Sequence, residues 1–281
     1  MMPDSVSNNT IDSDEYLGFC KFLEDSCGIV LGDNKHYLVT SRLNRLMRKH
    51  SIESLGALLA KLNKGLDRAL HDDTVDAMTT NETSWFRDRY PYDLLKNEML
   101  PSCEENMFGK IRVWSAACSS GQEPYSISIV DQEYRRTHPA SKTKIEIIAT
   151  DISPSMLDEA KQGVFDNMAL GRGMPDDLKK RYFTAKGDAW QVQQQVKSSI
   201  QFREINLMNS FASLGKFDVI FCRNVLIYFS GPMKTDILKR MSTALKPNGF
   251  LFLGGSESVT SYTDRFEQIL TPKGLYYKNR P

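Results

Sequence analysis

The sequence lacks the features that mark secreted, metal-binding and membrane-spanning proteins. Its 281 residues contain only five cysteines, an odd number with no C-x-x-C pair, which predicts reduced thiols in a cytoplasmic protein. The four histidines show no metal-ligand spacing, so we expect no metal site. No apolar run approaches the length of a membrane span, and the polar, acidic start lacks the basic and apolar regions of a signal peptide.

An excess of charge of either sign is also missing. The 36 lysines and arginines nearly balance the 35 aspartates and glutamates, which leaves a net charge of +1. There is no overall attraction to nucleic acid or to an anionic membrane, so we expect neither a nucleic-acid partner nor direct membrane insertion. The chain is 41% hydrophobic, is long enough for one large or two smaller domains, and is expected to be a monomer.

The two parts of the chain have different patterns. Residues 1–12 are polar and are predicted to be disordered. Residues 13–78 contain four short segments with apolar residues at helical spacing, the first of which stops at Gly28, and they predict a small helical bundle. Residues 79–90 are predicted to link this bundle to a larger domain over 91–281.

After about residue 110, predicted strands alternate with predicted helices. The strands are 111–117, 145–151, 200–206, 217–224 and 249–256, and the helices are 123–136, 153–164 and 231–245. This alternation predicts an α/β fold with a parallel sheet covered by helices on both faces. Residues 184–202 interrupt the pattern and predict a small inserted hairpin. A turn at 272–274 predicts a final hairpin that adds an antiparallel strand to the sheet edge.

The carboxyl ends of the predicted strands carry polar residues suited to a ligand site. Asp151 ends the second strand, where a carboxylate suits the two hydroxyls of a ribose. Capping of the next helix is the alternative, although Ser153 is itself the predicted N-cap of that helix. The loop after the first strand, ACSSGQEP, has one glycine where a dinucleotide site has three. This favours a nucleoside-type ligand without phosphates, such as S-adenosylmethionine. Glu123 is then a candidate partner for its cationic groups, or a first-turn carboxylate stabilised by the helix dipole.

Two further polar stretches need an explanation. Arg223 and Asn224 stand between two apolar runs in FDVIFCRNVLIYFS, where an unpaired buried charge would be costly. Before the sheet, MTTNETSWFRDRYPYDLL places the adjacent aromatics Trp85 and Phe86 among polar residues. This predicts a packed segment over the ligand, or an ordinary interdomain helix whose aromatics belong to the core.

Five motifs together resemble the chemotaxis receptor methyltransferases, the CheR family of protein-glutamate O-methyltransferases. They are TTNETSWFRD, RVWSAACSSGQEPYSI, IIATDIS, FDVIFCRNVLIYF and LKPNGFLFLGGSES, and they span residues 79–258 in the expected order. The helical segment matches the N-terminal domain of this family in kind and position. The resemblance implies a Rossmann-like S-adenosylmethionine-dependent methyltransferase sheet, with S-adenosylmethionine as methyl donor and S-adenosylhomocysteine as product.

The resemblance also implies roles for individual residues. Arg87 and Tyr228 would lie nearest the transferred methyl group. The residues implied in cofactor binding are Asn81, Thr83, Arg87, Glu123, Asp151, Asn206, Leu207, Arg223 and Asn224. The acceptor would be the side-chain carboxylate of glutamates on the cytoplasmic helical region of membrane chemoreceptors. The enzyme would be recruited to receptor arrays and would serve adaptation in chemotaxis.

A basic face makes the helical domain the expected receptor-recognition domain. Arg42, Arg45 and Lys49 follow i, i+3, i+7 spacing on one predicted helix, and Lys35 precedes them. A solvated basic face is the commoner meaning of such a pattern, and docking of an acidic receptor helix is the alternative.

The inserted hairpin bears on a second mode of receptor binding. In some members of the family, the small inserted sheet binds a short peptide at the C-terminus of the receptor. Those members tend to have a longer, glycine-rich turn, whereas this chain has only Gly187 in TAKGDAW. We therefore expect weak or absent binding of a receptor C-terminal pentapeptide, which a peptide titration would measure.

Other functions fit the sequence less well. An adenine-N6 methyltransferase would have an Asp/Asn-Pro-Pro-aromatic turn after the fourth strand, where this chain has RNVLIYF. A nicotinamide dehydrogenase would need the missing glycines. Two alternatives stay open: a related methyltransferase that modifies the receptor of a non-motility pathway, and a module that binds S-adenosylmethionine without transferring its methyl group.

Overall fold

The computed structural model describes residues 12–102, 110–141 and 144–280. The predicted disordered segment 1–12 therefore lies outside the described residues, except for its last position. The chain divides into two compact units, Met1–Thr79 and Thr80–Pro281. The first unit ends within one residue of the predicted helical domain.

From residue 12 onward, the first unit contains helices and no strands, as predicted. Its helices are α1 (Ser13–Cys27), α2 (His36–Lys49), α3 (Leu55–Asn63) and α4 (Arg68–Met78). Each helix buries apolar residues at helical spacing, and Phe19, Leu43 and Leu58 are each at most 1% exposed. Helix α1 ends at Gly28, whose φ of 76° is the left-handed conformation expected of a C-terminal glycine.

The described residues of the second unit form two sheets. Its strands in chain order are β1 (Lys110–Ala116), β2 (Lys144–Asp151), β3 (Val164–Asp166), β4 (Phe183–Lys186), β5 (Ala189–Val192), β6 (Ile200–Glu204), β7 (Phe217–Cys222), β8 (Leu245–Leu253), β9 (Phe266–Thr271) and β10 (Gly274–Asn279). Seven of them form the main sheet in the order β6-β2-β1-β7-β8-β10-β9. The strands from β6 to β8 in this order are parallel, and β10 pairs antiparallel with both β8 and β9.

Helices cover both faces of the main sheet, which confirms the predicted α/β fold. The helices of this unit are α5 (Tyr90–Leu94, continuing as a π-helical turn over Leu95–Met99), α6 (Gln122–Thr137), α7 (Pro154–Gln162), α8 (Asn167–Gly171), α9 (Asp176–Tyr182), α10 (Gln194–Lys197) and α11 (Gly231–Ala244). Adjacent strand residues enter different cores: Trp114 packs with α11, whereas Val113 packs with α5 and α6. The central strands are apolar on both faces for this reason.

The strand order reverses between β1 and β7. From β1 the chain builds outward through β2 and β6, and it then returns to add β7 on the other side of β1. In the register of the sheet, Ala116 at the end of β1 lies beside both Thr150 of β2 and Cys222 of β7. The carboxyl ends of these three strands therefore meet at one edge, where open α/β sheets bind their ligands.

Two boundaries near the end of the chain refine the prediction. The final hairpin turns at 272–273 as predicted, but both of its strands join the sheet, and β10 lies between β8 and β9. Strand β8 begins at Leu245, four residues before the predicted start. Leu245 pairs with Phe217, and Phe250 pairs with Val219, so a register shift accommodates the extra residues 246–249 within the strand.

The small sheet is larger than the predicted hairpin at 184–202. The β4–β5 hairpin with its two-residue turn at 187–188 lies there, but a third strand, Val164–Asp166, pairs antiparallel with β5. Residues 200–202 belong instead to β6 of the main sheet. The predicted helix 153–164 is therefore two residues too long, because α7 ends before Gly163 and Val164 begins a strand.

Glu133 of α6 contacts α9, the helix that leads into strand β4 of the small sheet. Its carboxylate accepts hydrogen bonds from the Tyr182 hydroxyl at 2.7 Å, from Arg181, and from Arg136 Nη2 at 3.1 Å. Burial alone would raise the pKa of Glu133, but the three hydrogen bonds outweigh it and lower the pKa to about 2. The ionised carboxylate is therefore a stabilising contact between α6 and α9.

Replacing Glu133 by Gln should lower the free energy of unfolding by about 2 kcal/mol at pH 7, since it removes hydrogen bonds to a charged acceptor. The folded-state pKa lies below the unfolded value of 4.5, so the wild-type advantage is complete above that pH and declines as pH falls toward about 2. Urea unfolding across this range measures the difference. Glu267→Gln, on the exposed edge strand β9, is the matched control, and a difference that does not change with pH would contradict the assignment.

Candidate active site

The loop after β1 turns sharply at the edge where the three strands end. Ala117 and Ser119 have φ of 58° and 49°, and Gly121 has φ of 97° at the N-terminal end of α6. A Cβ atom on Gly121 would lie 3.0 Å from the Cβ of Ala160 in α7. The single glycine of ACSSGQEP is therefore required by both its backbone conformation and its close packing.

Asp151 holds this loop in place. The carboxylate is 6% exposed, and it accepts hydrogen bonds from the backbone N–H of Ser119 at 2.7 Å and of Ser153 at 2.9 Å. Ser153 itself caps α7, as expected, by accepting a hydrogen bond from Met156 N. Ser119 Oγ also donates to Asn81 O at 2.8 Å. The contacts bring Asn81, Asp151 and the loop together, and they give Asp151 a backbone-fixing role that the sequence did not reveal.

The segment after β6 lies beside the end of β2. Ile205 N donates to Asp151 O at 2.9 Å, so Asn206 and Leu207 follow directly on a contact with the end of β2. The Asn206 side chain accepts a hydrogen bond from Met208 N, and Leu207 is buried. Arg240 of α11 holds this turn through hydrogen bonds to Leu207 O at 2.8 Å and to Asn209 O at 2.6 Å. Sequence reasoning missed Arg240, because an arginine in an amphipathic helix carries no local sign of this contact.

A buried ion-pair cluster explains the arginine after β7. The side chain of Arg223 is 2% exposed, and its guanidinium contacts Asp88 Oδ2 at 2.5 Å and Glu123 Oε2 at 3.4 Å. It also donates to Arg87 O at 3.0 Å. Ser115 Oγ donates to the other oxygen of Glu123 at 2.7 Å. Burial raises the pKa of Glu123, and the nearby charge of Arg223 opposes this rise.

The segment before α5 is packed and strained. Trp85 is 1% exposed and meets Phe165 and Phe183 edge to face. Phe86, Asp88 and Arg89 all have positive φ, at 47°, 65° and 54°. Such conformations cost energy in non-glycine residues and persist only where the surrounding contacts enforce them. Here the contact of Arg223 with Arg87 O and Asp88 is one such constraint.

The two residues predicted to lie nearest the methyl group are both half-buried. Arg87 Nη1 makes one long hydrogen bond, at 3.4 Å, to Glu82 O, and Tyr228 ends a 3-10 turn over Leu226–Tyr228. Thr83 is also half-buried in the same segment as Arg87. Within the described residues, no hydrogen bond joins Arg87 to Tyr228. The backbone of Arg87 belongs to the Arg223 cluster, and Tyr228 follows that arginine by five positions.

Asn224 continues the strand end in an unusual conformation. Its φ is 58°, and its backbone N–H donates to Glu257 Oε2 at 2.7 Å. Its Oδ1 is buried with no hydrogen-bond partner in the described structure, as is Nε of Arg223. Glu257, near the end of the motif LKPNGFLFLGGSES, was not among the predicted site residues, because its contacts with Asn224 and Ile227 join residues 30 or more positions apart.

The basic face of α2 is divided between internal contacts and solvent. Arg42 Nη1 donates to the carbonyls of Met78 and Thr79 at 2.6 and 2.9 Å, at the end of α4. Lys49 Nζ lies 2.6 Å from Oδ2 of Asp73, which also belongs to α4. Arg42 therefore stabilises the packing of α2 on α4, whereas Lys49 forms a mostly exposed ion pair between the two helices. Lys35 and Arg45 are exposed to solvent.

The hydrogen-bond acceptors at the sheet edge fit S-adenosylmethionine. The buried unpartnered oxygen of Asn224 can accept a hydrogen bond, and the carboxylates of Glu123 and Asp151 suit an ammonium group and ribose hydroxyls respectively. In the described ranges, no group of three or more His, Cys, Asp or Glu side chains is placed to hold a metal ion. No helix among those residues is long and apolar enough to cross a membrane.

Comparison with known proteins agrees with these features. The chain matches the family described as "CheR methyltransferase, SAM binding domain" over residues 81–275 and "CheR methyltransferase, all-alpha domain" over 14–79. It is 47% identical to "Chemotaxis protein methyltransferase Cher2" of Pseudomonas putida, covering 97% of this chain and 99% of that protein. It is 49% identical to "Chemotaxis protein methyltransferase 1" of Vibrio cholerae, covering 96% and 98%. The chain belongs to the CheR family of S-adenosylmethionine-dependent methyltransferases.

Proposed function

We propose that this enzyme methylates the side-chain carboxylates of glutamates on the cytoplasmic helices of chemoreceptors, in chemotaxis adaptation at receptor arrays. The names of its relatives, which are chemotaxis protein methyltransferases, support the pathway. The observation that carries the proposal is that two neighbouring arginines differ in their burial and in their partners. Arg223 is buried against two carboxylates, whereas the guanidinium of Arg87 makes one long hydrogen bond, to a backbone carbonyl. Arg87 is thus the cation suited to an incoming carboxylate.

The residues at the sheet edge would divide the binding of the donor among them. Asp151 would accept hydrogen bonds from the ribose, and Glu123 would hold the amino group. Asn206 and Leu207 would contact the adenine. Asn81, Thr83, Arg223 and Asn224 would complete the site around the remaining groups, with Arg87 at its acceptor side. Bound S-adenosylmethionine supplies the methyl group and leaves as S-adenosylhomocysteine.

Little acid–base chemistry is needed for this reaction. A glutamate carboxylate has a pKa of about 4.3, so it is already ionised at neutral pH and requires no general base. The enzyme must instead align the carboxylate with the methyl group and remove water from both, and such alignment contributes roughly 7–11 kcal/mol in favourable cases. Arg87 would orient the carboxylate by a two-pronged hydrogen bond, and Tyr228 would border the reacting atoms. The ester product is uncharged, so the hold of Arg87 on it weakens.

Replacing Asp151 by Asn should weaken binding of S-adenosylmethionine. The substitution removes a charge and one acceptor oxygen, and loss of a charged hydrogen bond costs about 1.5–3 kcal/mol, or roughly 10- to 100-fold in affinity. Calorimetric titration with S-adenosylhomocysteine measures this loss. Asp158→Asn, an exposed carboxylate of α7, is the matched control. An unchanged dissociation constant in the Asp151 variant would refute the ribose assignment.

Incubation with labelled methyl donor and purified chemoreceptors tests the acceptor. We expect label on receptor glutamates as a methyl ester, which mass spectrometry of receptor peptides locates. Arg87→Lys keeps the charge but loses the two-pronged geometry, so turnover at saturating donor should fall at least tenfold while donor affinity changes less. Near-normal turnover in this variant would show that Arg87 does not orient the acceptor. Label on another residue type would refute the glutamate proposal.

The exposed part of the basic face is the proposed receptor-docking surface. Because Arg42 and Lys49 contact α4, the sharper test uses Lys35→Ala combined with Arg45→Ala. We expect severalfold slower methylation at low receptor concentration, unchanged donor affinity, and a wild-type rate that falls as salt rises. Lys21→Ala, which removes an exposed lysine of α1, serves as the control. Equal receptor affinity for the double variant and the control would argue against docking through this face.

A further inference from the structure

Glu257 binds three backbone N–H groups from two segments of the chain. Its Oε2 accepts hydrogen bonds from Gly254 N at 2.6 Å and from Asn224 N at 2.7 Å. Its Oε1 accepts a hydrogen bond from Ile227 N at 3.2 Å. One carboxylate thus joins the end of β8 to the turn after β7 and to the 3-10 turn over Leu226–Tyr228.

The groups around this carboxylate leave little room for another arrangement. A Cβ atom on Gly254 would lie 2.7 Å from both Asn224 Nδ2 and Glu257 Oε2. Asn224 is held at φ of 58°, a conformation that is unfavourable for a residue with a side chain. The hydrogen bond from its N–H to Glu257 therefore helps to offset the backbone cost and holds the backbone from which its side chain projects.

We infer that Glu257 is a positioning residue that sets the Asn224 side chain for the methyl donor and the Tyr228 turn for the acceptor. The inference rests on the proposed roles of Asn224 and Tyr228. Asn224 Oδ1 is buried without a hydrogen-bond partner in the described residues, so it can accept a hydrogen bond from a bound ligand. The two carboxylate oxygens have different partners. Oε2 accepts the hydrogen bond from Asn224 N, and Oε1 accepts one from Ile227 N, in the turn that ends in Tyr228.

A carboxylate suits this position better than an amide of the same shape. All three partners are N–H donors, and an ionised carboxylate only accepts hydrogen bonds. In Glu257→Gln, one oxygen becomes an NH₂ group, which must face at least one of the three N–H groups and leaves it without an acceptor. Either the backbone at Asn224 and Gly254 or the turn that ends in Tyr228 then loses a hydrogen bond to residue 257.

The test is Glu257→Gln in the full chain, with Glu267→Gln as the matched control on the edge strand β9. We expect the dissociation constant of S-adenosylhomocysteine to rise at least tenfold, and kcat at saturating donor to fall. Hydrogen exchange of peptides covering 223–228 should accelerate, while exchange in β1 stays at the wild-type rate. The control should match the wild type in all three measurements.

Two outcomes would overturn the inference. One is a variant that is less stable but keeps wild-type donor affinity and kcat, since Glu257 would then be structural only. The other is exchange that accelerates equally in 223–228 and β1. If Glu257→Gln does not fold, Glu257→Asp, which keeps the charge but shortens the side chain, is measured in the same way and is judged by the same outcomes. Donor affinity is measured without receptor, so it tests Glu257 even if the glutamate acceptor is wrong.

Discussion

The ion pairs of the buried Arg223 guanidinium are the interactions on which the site depends. A charge with 2% of its side chain exposed would be strongly destabilising without partners, and it finds them in Glu123 and Asp88. These partners come from the first turn of α6 and from the strained segment before α5. The ion pairs therefore join three segments that are far apart in sequence at the carboxyl ends of β1 and β7. Removing the guanidinium would leave the buried carboxylate of Glu123 without its cation.

Two carboxylates at the same edge of the sheet accept hydrogen bonds from backbone N–H groups. Asp151, at the end of β2, accepts from Ser119 N and Ser153 N, and Glu257, beyond the end of β8, accepts from three N–H groups. Each shapes a loop that would otherwise have unpaired donors close to a charged ligand. The rigid sheet edge is thus extended into the loops, which is what a reaction that depends on alignment requires.

Backbone strain is concentrated in the same place. Of the eight non-glycine residues with positive φ in the described structure, six belong to the loops around the candidate site: Phe86, Asp88, Arg89, Ala117, Ser119 and Asn224. Each unfavourable conformation costs on the order of 1 kcal/mol or more and persists only under several constraints. The hydrogen bonds of Arg223, Asp151 and Glu257 are such constraints. These hydrogen bonds therefore stabilise the loops in the observed conformation.

The sequence by itself determined the strand–helix alternation, the place of Asp151 at a strand end and the caps at Gly28 and Ser153. These features depend on periodicity and on neighbouring residues, which a linear sequence displays directly. It also showed that Arg223 needed a partner, but not which one. Only the tertiary structure decided that Asp88 and Glu123 pair with Arg223, that Arg42 turns to the end of α4, and that Glu257 holds Asn224. Each of these contacts joins residues dozens of positions apart, and it is chain topology rather than local preference that brings such residues together.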